Sequence, residues 1–177
     1  LREEVVQRME TEAALRRGIE RGELVTWFQP QVNVRTGTIV GVEALVRWQH
    51  PQRGLLPPSA FLQVAEEAGL TDQLWEVVVL TSLERLSAWR REHRHHADLR
   101  MSVNLSPRQL GRPGLVEELA DRLRRYELPS ESLCVELAEG SLNDVSRSAR
   151  TIEELRGLGV KVSIDDFGTG VASLAHL

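Results

Sequence analysis

Met101-Ser102-Val103-Asn104-Leu105-Ser106-Pro107 reads as a strand that runs straight into a helix. Alternate residues of a strand face opposite sides. Met101, Val103 and Leu105 therefore make an apolar row, and Ser102 and Asn104 share the other face. Ser106 before Pro107 reads as an N-cap and first helical residue. The same arrangement recurs in Gly41-Val42-Glu43-Ala44-Leu45, Leu133-Cys134-Val135-Glu136-Leu137 and Val162-Ser163-Ile164-Asp165-Asp166. In each, one parity suits burial against helices, as in Leu133, Val135, Leu137 and in Val160, Val162, Ile164. The other parity sets a small residue before an oxygen-bearing one: Gly41 then Glu43, Ser102 then Asn104, Cys134 then Glu136, Ser163 then Asp165. If these strands lie side by side, Glu43, Asn104, Glu136 and Asp165 converge on one rim, each at the last inward position of its strand. A ring of hard oxygen donors is what Mg²⁺, Mn²⁺ or Ca²⁺ prefers.

The segments between them have helical spacing. Residues 1–22 read as a charged helix with Val5, Met9 and Ile19 on or near one face. Residues 24–34 and 39–48 are strand-like, and the turn signal Arg35-Thr36-Gly37-Thr38 joins them into a hairpin. A Pro- and Gly-rich loop covers 49–58. Ser59 is placed to cap a short helix ending at Gly69, and Thr71 a longer one with Leu74, Val78, Leu86 and Trp89 as core. Leu115, Leu119, Leu123 and Tyr126 share one helical face. Asn143 or Asp144 can cap a helix carrying Val145, Ala149, Ile152 and Leu155, with Gly159 past its end. Alternating strands and helices predict a parallel sheet with helical crossovers, which binds ligands at the carboxyl ends of its strands.

The 177 residues allow one sizeable domain, and 27% charged with 41% hydrophobic residues is ordinary globular usage. A net charge of −4 argues against a protein that coats nucleic acid polymers. It leaves room for a small anion held by an arginine or a metal. The single Cys134 has no disulfide partner in the chain and reads as a core-filling thiol. No stretch approaches the ~18 apolar residues of a membrane span. The expected location is the cytoplasm, for a parent protein that other segments can anchor. Leu1 in place of Met suggests an excised segment, with 1–22 as a helical linker and 23–177 as a partial domain.

Glu43-Ala44-Leu45 within Gly41–Trp48 resembles the signature of the EAL domain, a family of bacterial phosphodiesterases that hydrolyse cyclic di-GMP. Phe28-Gln29-Pro30, His50-Pro51 with Gly54, Val103-Asn104-Leu105-Ser106, Glu136-Leu137-Ala138-Glu139 and Asp165-Asp166-Phe167-Gly168-Thr169-Gly170 resemble its other motifs, in the family's order. The resemblance implies a modified TIM (β/α)₈ barrel whose first strand is antiparallel to the second. A full barrel takes about 250 residues. With about five of eight strands visible, the family's later lysine, glutamate and glutamine are expected beyond Leu177. A fragment with two open sheet edges is expected to be unstable or inactive by itself.

The resemblance also implies roles, each beside a plainer reading. Glu43, Asn104, Glu136, Asp165 and Asp166 match its ligands for Mg²⁺ or Mn²⁺. Otherwise Glu43 pairs with Arg47, Asn104 is a cap or turn residue, and the aspartates form an Asx-turn. Arg47 matches a contact to substrate phosphate, or else a structural ion pair. Gln29 is placed to touch the guanine or the substrate backbone, or to be a satisfied core glutamine. Glu139 matches a residue that ties down the loop after the next strand, or is a surface glutamate. Gly168 and Gly170 permit tight loop geometry. His93, His95 and His96 look like a metal tract but read as a solvated helix end. Ala138, Gly140, Val171 and Ala172 depart from the usual pattern on the two loops that couple the site to the family's dimer contact.

The implied activity is metal-assisted hydrolysis of cyclic di-GMP to linear pGpG, catalysed through Glu43, Asp165, Asp166 and Glu139. The implied partners are a second copy of the intact domain and an upstream GGDEF or sensor domain. The competing reading is an inactive receptor for the nucleotide, or a protein-interaction module.

Overall fold

The computed structural model describes residues 2–92, 97–138 and 145–165. Helix α1 (Arg2–Glu20) leads to strands β1 (Leu24–Val32), β2 (Ile39–His50) and a short β3 (Gly54–Leu56). Helices α2 (Leu62–Glu67) and α3 (Thr71–Glu92) follow, then β4 (Arg100–Leu105), α4 (Pro107–Leu110) and α5 (Leu115–Arg125). β5 (Leu133–Ala138), α6 (Val145–Leu158) and β6 (Lys161–Asp165) complete the order. The strands lie β1-β2-β4-β5-β6, with β3 on β2. The pairs β4–β5 and β5–β6 are parallel and β2–β3 is antiparallel. The sheet is therefore mixed, with α-helical crossovers between the parallel strands. The described chain divides into two units, residues 1–28 with 44–81, and residues 29–43 with 82–177.

The first unit is built around Trp48, which is 1% exposed. Leu15, Leu24, Leu56, Phe61, Ala65, Leu70 and Leu74 complete the same cluster. Helix α1 buries Thr11, Leu15 and Gly18 and leaves Met9 66% exposed. The inward face is thus rotated from the one read off Met9, because Gly18 is where α1 meets the Trp48 indole. A Cβ on Gly18 would stand 2.8 Å from Trp48 Nε1. The loop after β2 contains β3, a strand too short for a periodic signal. Ser59 is not a cap. It lies in a 3-10 turn, Pro58–Ala60, and the residue before α2 is Phe61, which has no side-chain cap bond.

In the second unit, Asn33 reverses the chain between β1 and β2. Its Oδ1 accepts from the backbone N–H of Arg35 at 3.0 Å and of Thr36 at 3.3 Å. Gly37 takes φ 71°, where a side chain would be strained. So short a connection makes neighbouring strands antiparallel. The apolar rows sit as their parity demands: Met101, Val103, Leu133, Val135 and Leu137 are 0% exposed. Leu115, Leu119 and Leu123 of α5 are equally buried. β6 departs from the rule, since Ile164 is 42% exposed although Val160 is buried. β6 stands last in the strand order, so one flank has no described strand beside it. Ala149 of α6 is also exposed, while Leu155 is buried. Asn143 and Asp144 lie outside the described residues.

Ser106 closes a capping box after β4. Its Oγ accepts from Gln109 N–H at 3.3 Å, and Gln109 Oε1 accepts from Ser106 N–H at 2.9 Å. Ser106→Ala is expected to cost about 1 kcal/mol of stability, the usual worth of an N-cap. Urea unfolding followed by circular dichroism measures it, and an unchanged midpoint would show that α4 needs no cap.

Candidate functional site

Register sets the geometry of the oxygen-bearing residues. β4 and β5 pair Ser102 with Cys134 and Asn104 with Glu136, so Asn104 and Glu136 are direct cross-strand neighbours. Asn104 Nδ2 also donates to Glu43 Oε1 at 3.0 Å. Glu43, Asn104 and Glu136 are thereby brought together, near the carboxyl ends of β4 and β5. β2 continues to His50, so Glu43 sits within its strand and not at the last inward position. β5 and β6 pair Glu136 with Ser163 and Ala138 with Asp165. Asp165 is therefore one strand repeat farther along than Glu136. Asp166, Glu139, Gly168, Gly170 and the three histidines of the 93–96 tract lie outside the described residues.

Below this level is a residue that the sequence reading passed over. Gln31 Nε2 donates to Glu136 Oε1 at 3.3 Å and to Ser102 Oγ at 3.4 Å. Its own Oε1 lies over Gly41, where an added Cβ would come within 2.8 Å of it. Cys134 Sγ and Ser163 Oγ are 3.5 Å apart. Gly41 and Ser102, which precede Glu43 and Asn104, thus leave room for the Gln31 side chain. The signal was available. Gln31 shares the parity of Gln29, and β1 runs opposite to β2, so the later residue of β1 reaches the earlier part of β2. Gln29 itself is exposed.

Arg47, in the other unit, donates Nη1–H to the carbonyl of Val46 at 2.8 Å. Its Cζ is 5.8 Å from the ring centre of Trp27, within cation–π range. Trp27 is 53% exposed, and Arg47 is half-buried.

Among the described residues no group of three His, Cys, Asp or Glu side chains stands ready to hold a metal. The donors present are two carboxylates and an amide. Glu43 is half-buried, receives one neutral N–H, and forms no ion pair among the described residues. A carboxylate withdrawn from water ordinarily gains a cationic partner or several donors. Asn104 Oδ1 accepts nothing among the described residues. An oxygen-only set with an unneutralised carboxylate fits a hard divalent cation.

The profile of the EAL domain matches residues 12–177. A bifunctional diguanylate cyclase/cyclic di-GMP phosphodiesterase, MucR of Pseudomonas aeruginosa, is 41% identical over 164 residues, covering 92% of this chain and 24% of the relative. A solved complex of the PaMucR phosphodiesterase with cyclic di-GMP superposes with a TM-score of 0.87 at 39% identity, covering 93% of this chain and 66% of that one. The EAL enzyme Bd1971, in a form binding cAMP and cyclic di-GMP, has a TM-score of 0.90 at 28% identity, covering 98% and 48%. The chain spans about a quarter of the length of the curated relatives it matches, 24% and 27% for two of them. Together with the strand order, these likenesses make the mixed sheet part of a TIM-like (β/α)₈ barrel. No helix among the described residues is long and apolar enough to cross a membrane. The chain belongs to the EAL domain family of cyclic di-GMP phosphodiesterases.

Proposed function

We propose that this chain is part of a domain that hydrolyses cyclic di-GMP to linear pGpG with Mg²⁺ or Mn²⁺. The observation that carries the reading is the meeting of Glu43, Asn104 and Glu136 on neighbouring strands, with Glu43 lacking any ion pair among the described residues. Glu43, Asn104, Glu136, Asp165 and Asp166 would hold the cation. A bound divalent ion lowers the pKa of a water and stabilises charge on the attacking and leaving oxygens.

The chain's own residues divide the remaining work. Asn104 Nδ2 fixes the rotation of the Glu43 carboxylate. Arg47 presents a guanidinium fork suited to phosphate oxygens. Its Cζ lies 5.8 Å from the Trp27 ring centre, which favours a position beside that ring. Gln29, exposed on β1, contacts the guanine or the substrate backbone. Glu139, outside the described residues, matches the family residue that ties down the loop after the next strand. A protein of net charge −4 can bind this dianion because local cations override the overall field. A paired second copy and an upstream GGDEF domain complete the proposal; the relative MucR is named a bifunctional diguanylate cyclase/cyclic di-GMP phosphodiesterase.

Incubating the full-length protein with cyclic di-GMP and Mg²⁺, Mn²⁺ or EDTA, then separating products by chromatography, tests it. Linear pGpG in the metal samples alone is expected. Nucleotide binding without product in either metal would instead establish the receptor reading.

A further inference from the structure

We propose that Gln31 is a positioning residue for Glu136, holding that carboxylate in the orientation in which it takes a divalent cation. The inference rests on the metal-site reading above and extends it to a residue that reading does not use. The terminal torsion of a glutamate is broad and settles into no sharp well by itself. Carboxylates that bind metals are commonly held by a second hydrogen bond from behind. Gln31 is placed to supply one. Its Nε2 lies 3.3 Å from Glu136 Oε1 and 3.4 Å from Ser102 Oγ. Glu136 is 9% exposed, so water has little access to replace a lost donor.

The surroundings hold the Gln31 amide in turn. Its Oε1 occupies the space above Gly41, where a Cβ would collide at 2.8 Å, and the Arg100 carbonyl stands 3.3 Å from that same Cβ position. The glycine on β2 and the serine on β4 are thus the two small residues that let a β1 side chain cross the strands to reach β5. A side chain that merely filled space would need neither the amide nor the neutral charge. A lysine in its place would add a positive charge beside the cation, and a glutamate would turn an acceptor toward Glu136.

The test compares wild type with Gln31→Leu, which keeps bulk and removes the donor, in the full-length protein. Mn²⁺ binding is followed by the loss of free-ion EPR signal, and thermal unfolding is followed alongside. The Mn²⁺ dissociation constant is expected to rise about tenfold, the lower range for loss of an outer-shell partner. The metal concentration for half-maximal turnover should move with it, with kcat largely recovered at saturating metal. Gln31→Ala carries the same comparison if leucine crowds Gly41. A folded variant whose Mn²⁺ affinity stays within twofold of wild type overturns the proposal, and so does a wild type that binds no Mn²⁺. Wild-type turnover is scored separately. A protein that binds Mn²⁺ but leaves cyclic di-GMP intact refutes the phosphodiesterase reading, while the affinity ratio still decides the role of Gln31.

Discussion

Glu43→Gln is expected to lower Mg²⁺-dependent turnover of cyclic di-GMP by about 10²–10³-fold, the usual consequence of removing one preorganised charge-stabilising group. It should do so without unfolding the protein. Glutamine keeps the length and planarity of glutamate, and its carbonyl oxygen can accept the same N–H from Asn104. What disappears is a half-buried negative charge with one neutral hydrogen bond and no ion pair among the described residues. Such a charge costs desolvation energy and returns little when nothing cationic is bound. Metal-free stability is therefore expected to hold or rise by up to about 1 kcal/mol, within the range of substitutions that break no network. Loss of activity with stability retained marks a carboxylate kept for a ligand. Assays of turnover and of unfolding in EDTA, side by side, decide the matter. Activity within tenfold of wild type would remove Glu43 from the site, and a metal-free protein that unfolds would make it structural.

How much of this was legible in the chain depended on the range over which each signal acts. The apolar rows of β4 and β5 were readable because alternation is a local rule and one face of each strand is fully buried. The Ser106 cap was readable because a capping box is complete within four residues. The Leu115, Leu119 and Leu123 face was readable for the same reason. Ser59 was a local misreading, since it lies in a 3-10 turn and caps nothing; the other failures came where a contact spans the chain. The buried stripe of α1 turns on Gly18 meeting Trp48, and nothing near Met9 announces it. Ile164 follows the alternation rule in sequence, yet it lies on the last strand of the order and stays exposed. The meeting of Glu43 with Asn104 followed from motif and parity. The one-repeat offset of Asp165 did not, because stagger between parallel strands is set by twist and pairing. Gln31 was legible from parity and hairpin direction, yet it was overshadowed. The motif drew attention to Gln29, whereas the residue that reaches Glu136 is two positions on, where only the glycine at 41 gives it passage.

Trp48→Ala is expected to cost about 3–5 kcal/mol, the range for deleting a large buried aromatic. The indole is 1% exposed and meets Phe61 edge-on, with ring centres 5.8 Å apart. It also meets His50 at 4.8 Å, again edge-on. Its Nε1–H donates to Glu23 Oε2 at 3.0 Å, which links the start of β1 to the end of β2. The neighbouring Gln49 N–H donates to the Glu23 carbonyl at 2.8 Å, so backbone and side chain secure the same junction. Removing the ring leaves a cavity in the cluster that Trp48 shares with Leu15, Leu24, Phe61 and Leu70. Trp48→Phe separates the contributions. It retains most of the packing and loses the hydrogen bond, and Glu23, half-buried, can turn toward water. That variant should therefore lose about 1–2 kcal/mol, the scale of one hydrogen bond to a charged group plus a small void. Urea titration followed by circular dichroism suits both, since tryptophan emission would change with the substitution itself. Equal losses in the two variants would mean that the bond to Glu23, and not the ring, holds the junction. A loss below about 1 kcal/mol for alanine would mean that the α1 side of this unit is not anchored by Trp48 at all.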